Sequence, residues 1–269
     1  MNTVKVALVI QNCIAGNYKK NLESTEKFII SASKNGAQFI LFPEMNLTGY
    51  ATGPDINSIC KPVTEEMASL FSTRAKILNV TIMVGLAEIT PEKKIYASHL
   101  IFNPGQSFEI YRKIHTAPFE KTYFSAGNQI PVFTSHGLIF GVQLCYDAHF
   151  PELSLAMALK KADVIFLPHA SPRGSSKEKY HSWIRHLTAR AFDNGMYIAA
   201  CNQTGDNSLG LSFPGLCVLI GPDGKVIYRS TDGTEGVHML EIEKSALDRI
   251  RSHKMRYFLP NRRSDLFKI

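Results

Sequence analysis

Two ways of joining strands alternate along this chain, and their mixture limits its fold more than any single residue does. Val4–Gln11 alternates like a strand and is rich in β-branched residues. A helical stripe at Leu22, Thr25, Phe28, Ile29 and Ala32 follows within Asn21–Lys34, Gly36 stops it, and Ala37–Phe42 is a short apolar strand. That is a βαβ unit, whose two strands run parallel. Farther on, Tyr96–Phe102 and Ser107–Ile114 flank the turn Asn103-Pro104-Gly105-Gln106 and make a hairpin. A purely parallel doubly wound sheet has no place for such a hairpin. Two mixed sheets packed together, with helices outside, use both connections.

The remaining segments extend the pattern. Thr64 caps a helix with Glu65 and Glu66 in its first turn and Met67, Leu70, Phe71, Ile77 and Leu78 expected inward; the strand Thr81–Ile89 follows. A second hairpin leads into an apolar strand that ends on Cys145, and Pro151 opens a helix through Lys161. After the buried strand Ala162–Pro168 comes a long helix, Ser176–Asn194, with Tyr180, Trp183, Ile184, Leu187 and Ala191 inward and Gly195 as its stop. Two strands then flank Pro222-Asp223-Gly224, and the strand Gly236–Ile242 and a short helix from Ser245 precede a basic tail. No linker or low-complexity stretch interrupts this, so we read one domain over residues 1–269, with the basic tail starting at about residue 249.

With 269 residues, 45% of them apolar, the chain can bury a large core. It has no uninterrupted apolar run of about 18 residues and no signal-like start, which reads as a cytoplasmic protein with no membrane partner. Five dispersed cysteines without C-x-x-C spacing point to reduced thiols and no metal; Cys13, Cys60, Cys201 and Cys217 read as core or neutral positions. The net charge of +7 is spread out until Arg249, Arg251, Lys254, Arg256, Arg262 and Arg263, a cluster without the interleaved aromatics of a nucleic-acid module. We read it as a solvated or subunit-contacting tail.

Three polar residues end apolar runs: Glu44 after Leu41-Phe42-Pro43, Lys113 after Ile110-Tyr111-Arg112, and Cys145 after Gly137–Leu144. Cys145 alone would pass for a structural cysteine, Glu44 for a helix cap and Lys113 for a solvated charge. Together they suit one chemistry. A thiol needs a base or positive surroundings to become a nucleophile near neutral pH, which Glu44 and the helix start after Pro151 would supply. Attack on an amide or nitrile carbon builds negative charge that Lys113 and the Tyr146 N–H would hold. A Cys-His protease using His115, His149 or His169 is the weaker reading, because none lies in a local protease signature.

These residues resemble the nitrilase superfamily of carbon-nitrogen hydrolases. Leu41-Phe42-Pro43-Glu44-Met45-Asn46-Leu47-Thr48-Gly49-Tyr50 is similar to its glutamate motif, Tyr111-Arg112-Lys113-Ile114-His115 to its lysine motif, and Cys145-Tyr146-Asp147-Ala148-His149-Phe150-Pro151-Glu152 to its cysteine motif. Order and spacing agree, and the likeness runs from Val4 to about Phe267. Glu120-Lys121-Thr122-Tyr123-Phe124-Ser125-Ala126-Gly127 resembles the family's second-glutamate loop, whose carboxylate positions the lysine and substrate, making Glu120 a fourth candidate. Gly215-Leu216-Cys217 departs from the Gly-x-Ser of many members.

The resemblance implies an α/β fold, a four-layer α-β-β-α sandwich of two mixed sheets that dimerises through helices. It also implies a cofactor-free amidohydrolase working through a cysteine thioester on a small linear amide or N-carbamoyl amine, with ammonia released. The loop Phe119–Phe124 and the stretch Arg262-Arg263-Ser264-Asp265-Leu266-Phe267 look most like the carbamoyl-amine and omega-amidase branches. Tyr50, Tyr146, His149 and Arg173 are candidates for substrate contact; for Arg173 a solvated loop position competes with capture of a substrate carboxylate. A true nitrilase shares the active set, and an idle binding module on the same fold is the alternative of another class.

Overall fold

A computed structural model describes residues 3–51 and 53–267 of the chain. Strand β1 (Thr3–Ile10), helix α1 (Tyr18–Lys34) and strand β2 (Phe39–Leu41) form the opening βαβ unit. After the short α2 (Ile56–Ile59) and α3 (Glu65–Leu78) come β3 (Thr81–Ile89), β4 (Ile95–Phe102) and β5 (Glu109–Arg112). The second half runs β6 (Phe133–Ser135), β7 (Leu138–Val142), α4 (Pro151–Leu159), β8 (Val164–His169), α5 (Ser176–Asn194) and β9 (Tyr197–Asn202). A two-stranded ribbon, β10 (Gly205–Asp206) and β11 (Ser212–Phe213), precedes β12 (Cys217–Ile220), β13 (Val226–Ser230), β14 (Gly236–Glu243) and α6 (Lys244–Arg251).

The strands assemble into two six-stranded mixed sheets, ordered β14-β1-β2-β3-β4-β5 and β13-β12-β9-β8-β7-β6. Each has three parallel strands, β1-β2-β3 in one and β7-β8-β9 in the other, with antiparallel strands added at both edges. Alternation along β1 divides the core. Val4, Val6, Leu8 and Ile10 join the apolar cluster between the sheets, whereas Ala7 and Val9 join a second cluster with Ile29 and Ala32 of α1 and Phe71 of α3. The sheets meet through Phe39 of β2 against Phe140 of β7 and Phe166 of β8, with ring centroids 5.3 and 5.5 Å apart. On the far side of the second sheet, α4 and α5 contribute Met157, Trp183 and Leu187 to the same core. The four-layer α-β-β-α sandwich expected from the sequence is the one observed.

Several local expectations change. Helix α1 starts at Tyr18, because the Asn17 side chain caps it by accepting the Lys20 N–H at 3.1 Å. Its buried stripe includes Asn21, a polar residue whose amide donates to the carbonyls of Ile14 and Leu47. Ile77 of α3 points outward, 69% exposed, since the helix buries Met67, Phe71 and Ala75 and position 77 lies off that face. Thr64 caps α3 as expected, accepting the Met67 N–H.

The basic tail also needs correction at its start. Arg249 and Arg251 belong to α6, which buries Leu247 and Ile250. The Arg251 guanidinium pairs with Asp163 at 2.6 Å and donates to the carbonyls of Ala162 and Gly195. It clasps α6 to the start of β8 and the end of α5. Among the described residues no helix is long and apolar enough to cross a membrane.

Candidate active site

The carboxyl ends of parallel strands in α/β proteins open onto a common edge, the usual place for chemistry. Here β2, β7 and β8 lead to Glu44, Cys145 and Ala170, and Lys113 directly follows β5. The loop after Glu44 lies close on β3. Asn46 accepts the Gly85 N–H at 2.8 Å, and the Leu47 N–H donates to the Gly85 carbonyl at 2.9 Å. A side chain at Gly85 would bring a Cβ to 2.6 Å from the Met45 nitrogen, so only glycine permits this approach.

Glu44 and Lys113 are each 1% exposed, and the lysine ammonium meets the Glu44 carboxylate at 3.0 Å. The other Glu44 oxygen accepts the Ala170 N–H at 3.0 Å, while Gln203 donates to the Glu44 carbonyl at 2.7 Å. Lys113 also reaches Glu120, with its ammonium 3.0 and 3.2 Å from the two carboxylate oxygens. Glu120 accepts the Tyr50 hydroxyl at 3.0 Å and the Ala117 N–H at 2.8 Å. Lys113 therefore sits between two buried carboxylates whose remaining oxygen positions are engaged by protein donors. Its backbone is pinned as well, the N–H donating to Ala97 and the carbonyl accepting from Gly127. A Cβ at Gly127 would collide with the Arg112 carbonyl oxygen, which explains a glycine there.

The strand leading to the thiol stops earlier than the sequence reading has it. β7 ends at Val142, and Cys145 opens a 3-10 turn, Cys145–His149, that separates it from α4. Cys145 has a φ of 44°, a left-handed conformation that non-glycine residues adopt at a cost. Asp147 holds the turn. Fully buried, it accepts the Leu144 N–H at 3.0 Å and the Tyr111 hydroxyl at 2.7 Å on one oxygen. Its other oxygen accepts the His115 backbone N–H at 2.8 Å and lies 2.9 Å from that imidazole. One carboxylate thus ties the thiol's turn to the two residues that bracket Lys113. Considered only as an acid or base, Asp147 escapes notice; an aspartate beside a strand end is also a turn former that accepts local N–H groups, and that signal was available.

Electrostatics divide the proton-bearing groups. Burial pushes the Glu44 carboxyl up, Lys113 pulls it down and Glu120 raises it again, leaving it at about 6. Burial works against the Lys113 ammonium, but Glu44 and Glu120 outweigh it, so the amine is held charged above its ordinary value. Burial, followed by Glu44, pushes the Cys145 thiol up despite Lys113. Burial and the carboxylate thus disfavour the thiolate while Lys113 favours it, which leaves a part for a base such as Glu44.

Cys145, Lys113 and Glu120 line a cavity of about 310 Å³ together with Tyr50, Tyr146, His149 and Arg173. All four residues expected to touch substrate are therefore on its wall, although the Tyr50 hydroxyl is engaged with Glu120. The wall also includes residues that the sequence does not single out as substrate contacts. Lys179 lines it from α5, and His169 stacks on Trp183 with centroids 3.9 Å apart. Trp183 reads as a core position in a helical stripe, and periodicity cannot tell core from cavity wall.

The carbon-nitrogen hydrolase family model matches residues 5–252. A nitrilase from Pyrococcus abyssi (strain GE5 / Orsay) is 30% identical over 274 residues, covering 98% of this chain and 99% of its own. A 2-oxoglutaramate amidase from Bacillus subtilis (strain 168) is 29% identical over 231 residues, covering 85% of this chain and 86% of its own. The crystal structure of a carbon-nitrogen hydrolase from Helicobacter pylori G27 has a TM-score of 0.87 at 24% identity, covering 100% of this chain and 99% of that one. The chain belongs to the carbon-nitrogen hydrolase family. Its class of reaction is hydrolysis of carbon-nitrogen bonds.

Proposed function

We propose that the protein is an amidase that hydrolyses a small linear amide or N-carbamoyl amine and releases ammonia, with Cys145 as nucleophile. The observation that carries this reading is the small cavity lined by Cys145, Lys113 and Glu120, with buried Glu44 paired to the same lysine. Glu44 takes the thiol proton as the sulfur attacks the carbonyl carbon. The resulting oxyanion is held by Lys113 and the Tyr146 N–H. As the tetrahedral species collapses, Glu44 returns the proton to the departing nitrogen and ammonia leaves a thioester. Glu44 then takes a proton from water, whose oxygen attacks the thioester; the acid leaves and the thiol regains its proton. Glu120 keeps Lys113 charged and in place. At about 310 Å³ the cavity lies at the small end of the range of ligand sites, ~300–1,000 Å³, in keeping with a short substrate.

The test is ammonia release over a panel of short amides, N-carbamoyl amines and nitriles. Turnover of amides or carbamoyl amines is expected. Turnover of nitriles alone would make the protein a nitrilase, and silence on every class by folded protein would make it a binding module.

The acid limb of the pH profile follows from Glu44. Its carboxyl sits at about 6, and only the carboxylate can take the thiol proton, so activity is present above that value and lost as pH falls through it. The acid limb of kcat/KM is expected to be half-maximal near pH 6. A profile flat down to pH 4.5 would remove Glu44 from the role of base.

A further inference from the structure

We propose that the cavity takes an anion: a short amide or carbamoyl compound whose far end carries a carboxylate, held by Arg173 and Lys179. This rests on the amidase reading and adds the charge of the substrate.

Arg173 and Lys179 line the same cavity as Cys145, and neither forms an ion pair among the described residues. The carboxylates at the base of the site are committed, since Glu44 and Glu120 share Lys113. The nearest carboxylate in sequence, Glu178, is committed as well. It closes a capping box on α5, accepting the Ser175 N–H at 2.8 Å and the Ser175 hydroxyl at 2.9 Å. The cavity therefore presents two cations for which the described residues supply no counterion.

Stability does not account for Lys179, whereas Arg173 stands exposed on its loop at the cavity wall. Lys179 stands in the first turn of α5, where the positive end of the helix dipole disfavours an ammonium. It is only partly exposed, and its side chain makes one hydrogen bond, to the Pro172 carbonyl at 3.0 Å, leaving further donors of the ammonium for a ligand. Burial lowers its pKa and Arg173 lowers it further, while Cys145 and Glu178 raise it; an anion placed between the two cations would favour the charged form. Arg173 itself has a φ of 68°, a left-handed conformation, and its N–H is fixed to the Ser212 carbonyl at 2.9 Å.

The loop also sets the distance between the cations and the reaction. Ala170, three positions before Arg173, donates to Glu44, and Ser171 is clamped on both sides by Asn202, at 2.8 and 3.0 Å. Arg173 is thus carried on a braced segment that starts at the proposed base. A substrate that spans from Cys145 to Arg173 and Lys179 has its amide at one end and its negative charge at the other.

The experiment compares ammonia release from succinamate and glutaramate with that from uncharged valeramide and cationic δ-aminovaleramide. The anions are expected to have kcat/KM values roughly tenfold or more above valeramide, with the cation below it, since a hydrogen-bonded charge contributes about that factor. Arg173→Gln and Lys179→Met should each lower the ratio of anion to neutral kcat/KM by roughly tenfold. Arg173→Glu should move the preference toward δ-aminovaleramide. Equal or better use of the neutral or cationic amide by the unaltered protein would overturn the anion site while leaving the amidase reading intact. Silence on all four would count against the amidase reading, and calorimetric titration of the Cys145→Ala protein then decides the anion site separately. Tighter binding of glutaramate than of valeramide supports it, and equal or undetectable binding of the two overturns it.

Discussion

Cys145→Ala is expected to reduce ammonia release by roughly 10⁴-fold or more, because the thioester cannot form without the sulfur. The fold should survive the change. Alanine at this position meets the same left-handed backbone cost that the cysteine already meets at φ 44°, and the substitution removes one sulfur atom from a cavity wall. Asp147 continues to hold the turn through Leu144, Tyr111 and His115. A thermal melt within a few degrees of the unaltered protein, together with lost turnover, is the expected pair of results. Appreciable turnover by folded Cys145→Ala protein would remove Cys145 from the chemistry.

Lys113→Met should be nearly as costly and should separate two roles of the ammonium. Removing it leaves two buried carboxylates, Glu44 and Glu120, without their cation, and breaking such a buried pair costs ~3–5 kcal/mol. The sign of its pH dependence is set by the carboxylates. Without the cation their folded-state pKa values rise above the unfolded ones, so they destabilise the fold at higher pH and cease to do so as they gain protons on acidification. The melting temperature of Lys113→Met should therefore recover toward the unaltered protein between pH 8 and pH 5.5. Turnover should fall by at least ~10²–10³-fold, the usual cost of losing an oxyanion donor. Alkylation of Cys145 by iodoacetamide should slow less, because it needs the thiolate but builds no oxyanion. Equal losses of alkylation and turnover would mean that Lys113 acts only on the thiol.

The sheets and most helices were legible because their signals are local and periodic. The βαβ opening, the Asn103–Gln106 turn, the Thr64 cap and the stop at Gly195 each follow from the chemistry of a few adjacent residues. The three lone polar residues at strand ends were legible for the same reason. What escaped was set by distant partners. Arg251 reads as part of a charged tail until Asp163, 88 positions away, is seen to pair with it. Asn21 breaks an apolar stripe and is buried because the loop carbonyls of Ile14 and Leu47 need a donor. Ile77 fits a helical stripe by period but lies beyond the width of the face that α3 buries. Nothing in the residues next to Lys179 marks it, and only the folding of β8 and α5 around the thiol's cavity gives it a place on that wall. Asp147 sits two positions from Cys145, yet its purpose depends on Tyr111 and His115 from another strand and loop.

The central claim, that Cys145 carries the acyl group, is tested most directly by acid-quenched mass spectrometry of the protein during turnover of a short amide. The expected result is a protein species heavier by the substrate minus ammonia, with the added mass on the peptide containing Cys145, and no such species after that thiol has been carbamidomethylated. An acyl group on another residue, or ammonia released at the normal rate by protein whose Cys145 is blocked, would contradict it.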